Sequence, residues 1–138
     1  MRCRTGSEVR SAVAAREVLL FDAVAPGNEG RFYMTDKRLV FTTAASVDEA
    51  RRIAEALVDR KLAACANIVP KAVSIYRWKG KIEEAEEWLL LVKTTAQAFP
   101  RVRDTIKELH SYELPECMCF TVEDGSAEYL NWIDDSMR

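Results

Sequence analysis

Hydrophobic and polar positions follow two different periods along the chain, and these periods distinguish strands from helices. A short apolar run at residues 38–43 is rich in β-branched residues and predicts the first strand. Apolar residues then recur at helical spacing between Ala50 and Val58, which is typical of a helix with one buried face. Ser46 and Glu49 have the spacing of a capping box, in which each side chain bonds the other's backbone amide. We therefore expect the helix to begin after Ser46 and to end near Lys61.

A long β region follows this helix and folds back on itself. It extends over residues 64–78, and Pro70 predicts an edge position or a bulge within it, because proline cannot donate to a ladder. Lys79 and Gly80 predict a two-residue hairpin. The return strand, at about residues 82–94, is acidic in its first half and continuously apolar in its second half. The apolar half has the pattern of a strand that is buried on both faces.

The last third of the chain adds a helix, a strand and another helix. Phe99 and Pro100 predict the start of the second helix, because proline is tolerated in the first turn. A linker at residues 110–115 leads into a strand at residues 116–122, and a short helix carries Ile133. The order βαββαβ plus a terminal helix predicts an α+β fold. We expect a ferredoxin-like βαββαβ sandwich with a C-terminal helix and a long β-hairpin.

The predicted hairpin is longer than a small four-stranded sheet requires. Its ends would project as an unpaired and partly apolar ribbon, and exposed edges of that kind aggregate unless they are covered. A neighbouring subunit is the simplest cover, so the sequence itself predicts an oligomer.

Composition narrows the class of protein. The 138 residues have a formal net charge of -2 and a sequence pI of about 5.5, with 49% hydrophobic residues. This is ordinary globular composition, and it gives no general electrostatic reason to bind nucleic acid or an anionic membrane. No apolar run approaches the roughly 20 residues of a membrane span. An RNA-binding domain of the same topology is a further hypothesis, but the predicted fourth strand lacks the basic residues that it would need.

The first 33 residues differ from the rest of the chain. They contain three of the five glycines and a breaker cluster at residues 26–28, and they carry no clear secretory or transit signal. We interpret residues 1–33 as a disordered extension, or as a misassigned start with Met34 as the initiator. The folded domain is then expected to cover residues 34–138.

The four cysteines do not form a disulfide framework. They are Cys3, Cys65, Cys117 and Cys119. Cys117 and Cys119 would share one strand face and could chelate a soft metal, but we favour a role for both as small core residues. This cysteine usage predicts a reducing, cytoplasmic location.

Five blocks of sequence, in this order and at this spacing, resemble the CutA family. They are ACANI (64–68), YRWKGKI (76–82), LLVKTT (90–95), HSYELPE (110–116) and YLNWI (129–133). The similarity covers residues 38–133. One departure is Ser111, which stands where the family often has proline.

The resemblance implies a particular assembly and a function, in addition to the fold that the residues predict. It implies a ferredoxin-like fold assembled as a tight homotrimer and a link to divalent-metal tolerance, copper especially. It also implies a likeness to the PII signalling proteins, which bind small ligands between subunits. It brings no established reaction, so we expect no enzyme activity and name no catalytic residues.

Three residues are candidate metal ligands. A Cys65 thiolate suits soft ions such as Cu(I), and three copies in a trimer could converge, although a buried small hydrophobe is the alternative. His110, the one histidine, is a candidate ligand, or else its charge is favoured by its place at a helix end. Glu113 lies close by on the same loop and would complete the set.

Four further residues are candidates for binding a small ligand. Tyr112 would line a pocket together with His110 and Glu113. Trp78 is a candidate platform at the hairpin, with intersubunit packing favoured for it. Glu87 and Lys93 are separated by an even number of positions, so they would share a strand face. They would form an ion pair, or would anchor an anionic ligand at a trimer cleft.

The resemblance, together with these candidate residues, predicts a trimeric metal-binding module for tolerance of, or response to, divalent metal cations such as copper. The expected cofactor is copper or another divalent metal, with no organic cofactor, and the expected partner is the homotrimer, with no nucleic acid and no membrane. The alternative is a PII-like small-ligand sensor or a protein scaffold.

Overall fold

The computed structural model describes residues 35–138, and the predicted extension at residues 1–33 lies outside them, as does Met34. The described chain has the predicted order of elements. They are β1 (Lys37–Ala44), α1 (Val47–Asp59), β2 (Cys65–Trp78), β3 (Lys81–Thr95), α2 (Phe99–Leu109), β4 (Met118–Thr121) and α3 (Ala127–Ser136). No helix of this part of the chain is long and apolar enough to cross a membrane.

The four strands form one antiparallel sheet in the order β2-β3-β1-β4. The strand order places β1 and β3 in the centre, and it is the order that a split βαβ plan produces. The predicted α+β, ferredoxin-like fold is confirmed. The strand predicted at residues 116–122 is shorter than expected, because β4 pairs only with residues 38–41 of β1.

One face of the sheet carries the core. Val40 on β1 and Leu90 on β3 are fully buried, together with Ile53 and Leu57 of α1 and Ile106 of α2. The helical stripes that the sequence predicted therefore pack on one sheet face. Each such side chain contributes about 1.5–3 kcal/mol through removal of its apolar surface from water.

The bulge predicted at Pro70 is present, and it changes which side chains share a face. Val69 pairs with Leu89, but the next pair in register is Ala72 with Glu87. The extra residue reverses the alternation of β2 relative to β3, since side chains on a strand have a period of two. Beyond the bulge, the even-numbered residues of β2 lie on the same sheet face as Glu87.

The outer part of the hairpin is only two strands wide. β1 pairs with β3 from Trp88 onward, so residues 81–87 of β3 pair with β2 alone. Val73, Ile75 and Ile82 occupy one face of this ribbon and are 60%, 69% and 71% exposed. They share this face with Arg77, Glu84 and Glu86, so the predicted projecting and partly apolar hairpin is a feature of the single chain.

The hairpin turns at the predicted pair. Lys79 and Gly80 have φ of 48° and 82°, the two positive values of a type I′ turn. A Cβ at Gly80 would meet nothing within 4 Å, so a side chain there meets no steric obstacle.

Substitutions at Lys79 and Gly80 test whether the turn requires residues that adopt positive φ. We expect Gly80→Ala to lower the free energy of unfolding by about 1 kcal/mol, because alanine rarely adopts positive φ. Lys79→Asn is expected to raise it by a few tenths of a kcal/mol, since asparagine favours this position. Urea unfolding of both variants would measure the changes, and equal stability of Gly80→Ala and the wild type would contradict the assignment.

Candidate functional site

A buried carboxylate connects the start of α1 to the linker that follows α2. The Ser46 hydroxyl accepts a hydrogen bond from the Glu49 amide at 3.1 Å, as the capping box predicted. The reciprocal half of the prediction is wrong. Glu49 instead accepts from the backbone amide of Ala45 at 3.0 Å and from that of Ser111 at 2.5 Å. Its side chain is 3% exposed, because the linker folds over it.

Burial and several hydrogen bonds act in opposite directions on the pKa of Glu49. Burial by itself would raise the pKa of Glu49. The N–H groups of Ser111 and Ala45 stabilise the charged carboxylate, however, and hold its pKa below the ordinary value of 4.5. Glu49 is therefore an ionised anchor for the linker.

His110 lies beside Glu49, and each of its two ring nitrogens is hydrogen-bonded to a backbone group. Its Nε2 lies 2.6 Å from the Thr43 carbonyl oxygen, to which it donates, and its Nδ1 accepts from the Tyr112 amide at 3.0 Å. These partners define the neutral tautomer protonated at Nε2. To bind a metal, His110 would have to give up one of these bonds. Its role as a metal ligand stays a prediction.

A groove opens on the sheet face opposite the core, where the linker crosses the hairpin. Its volume is about 720 Å³. The bulge in β2 brings Tyr76 and Trp78 to the side that carries Glu87 of β3. The linker adds Tyr112 and Glu113, and Glu116 lies directly after it. The groove therefore combines three aromatic rings with three carboxylates.

The negative charge of Glu87 affects its neighbours in the groove. Glu87 is 6% exposed, and its Oε2 has no hydrogen-bond partner among residues 35–138. Burial, followed by the charge of Glu87 and a hydrogen bond to the Glu87 side chain, raises the pKa of Tyr112 to about 12. Burial, followed by the charge of Glu87, also raises the pKa of Glu116. The Tyr112 hydroxyl is thus a protonated donor at neutral pH.

Cys65 lies at the other end of the sheet, in contact with α3. Its Sγ is 3.6 Å from the Tyr129 hydroxyl, and hydrogen bonding to Cys65 raises the pKa of Tyr129. Lys93 pairs with Cys65 in the ladder and donates to the Asn67 side chain. Neither Cys65 nor Lys93 lines the groove.

The structure brings together only part of the predicted set. Trp78, Glu87 and Tyr112 line the groove with Glu113, whereas Lys93 does not. Sequence reasoning missed Tyr76 and Glu116. The signal for Tyr76 was available, because it is two residues from Trp78 on one strand and so shares its face.

The other cysteine pair is divided between core and surface. Cys117 is half-buried against the core, whereas Cys119 is exposed on β4. Burial is the main cause that raises the pKa of each thiol. The core role predicted for Cys119 is wrong, because β4 is an edge strand and leaves it exposed.

The metal donors predicted from sequence do not form a site within one chain. Among residues 35–138, no group of three or more histidine, cysteine, aspartate or glutamate side chains is arranged to hold a metal ion. Cys65 and Glu113 lie on different parts of the fold, and the nitrogens of His110 bond the backbone. A resident metal therefore does not fit the described part of a single chain.

The fold and groove define a ferredoxin-like α+β protein that is extended by a long hairpin and a C-terminal helix. The chain belongs to the family described as CutA1 divalent ion tolerance protein, whose family model matches residues 38–136. The resemblance predicted from residues 38–133 is thus confirmed.

Known relatives cover nearly the same part of the chain. The divalent-cation tolerance protein CutA of Thermus thermophilus is 47% identical over 100 residues, which are 72% of this chain and 97% of that protein. The crystal structure of CutA from Xylella fastidiosa has a TM-score of 0.74 and 40% identity, covering 75% of this chain and all (100%) of that one. The CutA structure from Archaeoglobus fulgidus, described as a periplasmic divalent cation tolerance protein, has a TM-score of 0.72 and 43% identity, covering 74% and 99%.

Proposed function

We propose that this protein acts in divalent-cation tolerance by binding a divalent metal, copper first, as a homotrimer without enzyme activity. The observation that supports the assembly is the two-stranded outer hairpin, on which the large apolar side chains Val73, Ile75 and Ile82 are exposed in the single chain. An isolated ribbon of this kind is at best marginally stable in water, and a neighbouring subunit would cover it. Membership of the divalent ion tolerance family supports the metal function.

The proposed metal site lies between subunits. One chain offers the half-buried Cys65 thiol at one end of the sheet and the exposed Glu113 carboxylate at the other. Since the described residues of one chain form no three-donor group, coordination needs donors from more than one copy. Cu(I), the soft form of copper, prefers thiolate ligands. Among the proposed ligands, loss of Cys65 is therefore expected to weaken copper binding most.

Metal titration of matched cysteine variants tests this proposal. We expect the full-length wild type to bind copper at a fixed ratio per trimer, and Cys65→Ser to lose most of the affinity. Cys119→Ser is the control, because that exposed thiol lies on the opposite sheet edge. Competition with a chromophoric chelator measures the affinity. Unchanged binding in Cys65→Ser, or an equal loss in both variants, would contradict the role of Cys65.

We propose a cytoplasmic location. The described cysteines Cys65, Cys117 and Cys119 are all unpaired thiols, which suits a reducing compartment. The Archaeoglobus fulgidus relative is described as periplasmic. Fractionation of native cells would distinguish the two, and recovery with a periplasmic marker would contradict our proposal.

A second candidate function is the sensing of a small ligand, and the groove favours it. Pockets with a few convergent polar groups among aromatic side chains are typical of ligand sites. This candidate does not depend on metal binding.

A further inference from the structure

We draw no further inference here: the strongest candidate, the thiol pair of Cys117 and Cys119 at the edge strand β4, carries nothing because no third metal-ligating side chain joins it among residues 35–138 and nothing in that part of the chain shows what it would bind.

Discussion

Replacing Glu49 by alanine is expected to lower the free energy of unfolding by about 2–4 kcal/mol. The carboxylate is 3% exposed and accepts from the backbone amides of Ala45 and Ser111. Its removal leaves two donors without an acceptor in a buried place, and each such loss costs about 1–3 kcal/mol. Urea unfolding would measure this change as a shift of the midpoint at an unchanged m-value, which is the slope of the unfolding free energy against urea concentration.

Two control variants carry substitutions in the same helix, α1. Glu55→Ala removes an exposed glutamate of α1, so we expect a change within about 0.5 kcal/mol. Glu49→Gln should have an intermediate effect, because its amide can accept from one N–H but presents a donor to the other. Equal stability of the alanine variants at positions 49 and 55 would contradict the anchoring role.

The effect of Glu49 also has a pH signature. Its folded-state pKa is lowered, so its contribution to stability is fully present above the ordinary value of 4.5. The contribution is lost as pH falls through the folded-state pKa. The stability difference between the wild type and Glu49→Gln should therefore be constant near neutral pH and decrease below about pH 4.5.

Introducing a charge at Ile75 is expected to have the largest effect on assembly. Ile75 is 69% exposed in the single chain, so Ile75→Glu should cost a folded monomer no more than about 1 kcal/mol, which arises from repulsion by Glu84 directly opposite it. In a trimer that covers the hairpin, however, the same carboxylate would be buried without a partner, at a cost of about 3–5 kcal/mol. We expect the variant to sediment as a folded monomer at micromolar concentration.

Ile75→Val is the control for this variant. It keeps an apolar side chain of nearly the same shape, so it should assemble like the wild type. If Ile75→Glu assembles as the wild type does, the hairpin face is not the interface. If the wild type is itself a monomer, the proposed trimer is wrong.

The local elements could be predicted because their signals are local. Ser46 caps α1, Pro70 lies at a bulge, and Lys79 and Gly80 form the turn, all as expected. Each of these positions is fixed by backbone chemistry within a few residues. The order of elements then restricted the topology, and the family resemblance agreed with it.

The site could be predicted only in part, because its contacts are distant in sequence. Glu49 bonds Ser111, 62 positions away, and no local pattern identifies that partner. The spacing of a capping box suggested instead that Glu49 would return to Ser46. His110 was a reasonable ligand candidate as an isolated histidine, and only the fold reveals that both of its nitrogens bond backbone groups.

The bulge explains why the negative charge of the groove was not apparent from the sequence. A single extra residue at Pro70 turns Tyr76 and Trp78 to the face of Glu87, while Lys93 remains near Cys65 and Asn67. Glu87 and Lys93 do share a face of β3, as their spacing predicted. Their separation along the strand nevertheless leaves the groove acidic.

Native mass spectrometry of the full-length protein, with and without copper, tests the central proposal most directly, because it records assembly and metal content together. The proposal predicts a species of three times the 15.7 kDa chain mass that gains a fixed number of copper ions. It also predicts that Cys65→Ser keeps the trimeric mass and loses the copper. A monomer, or a trimer that gains no copper at stoichiometric excess, would contradict the account.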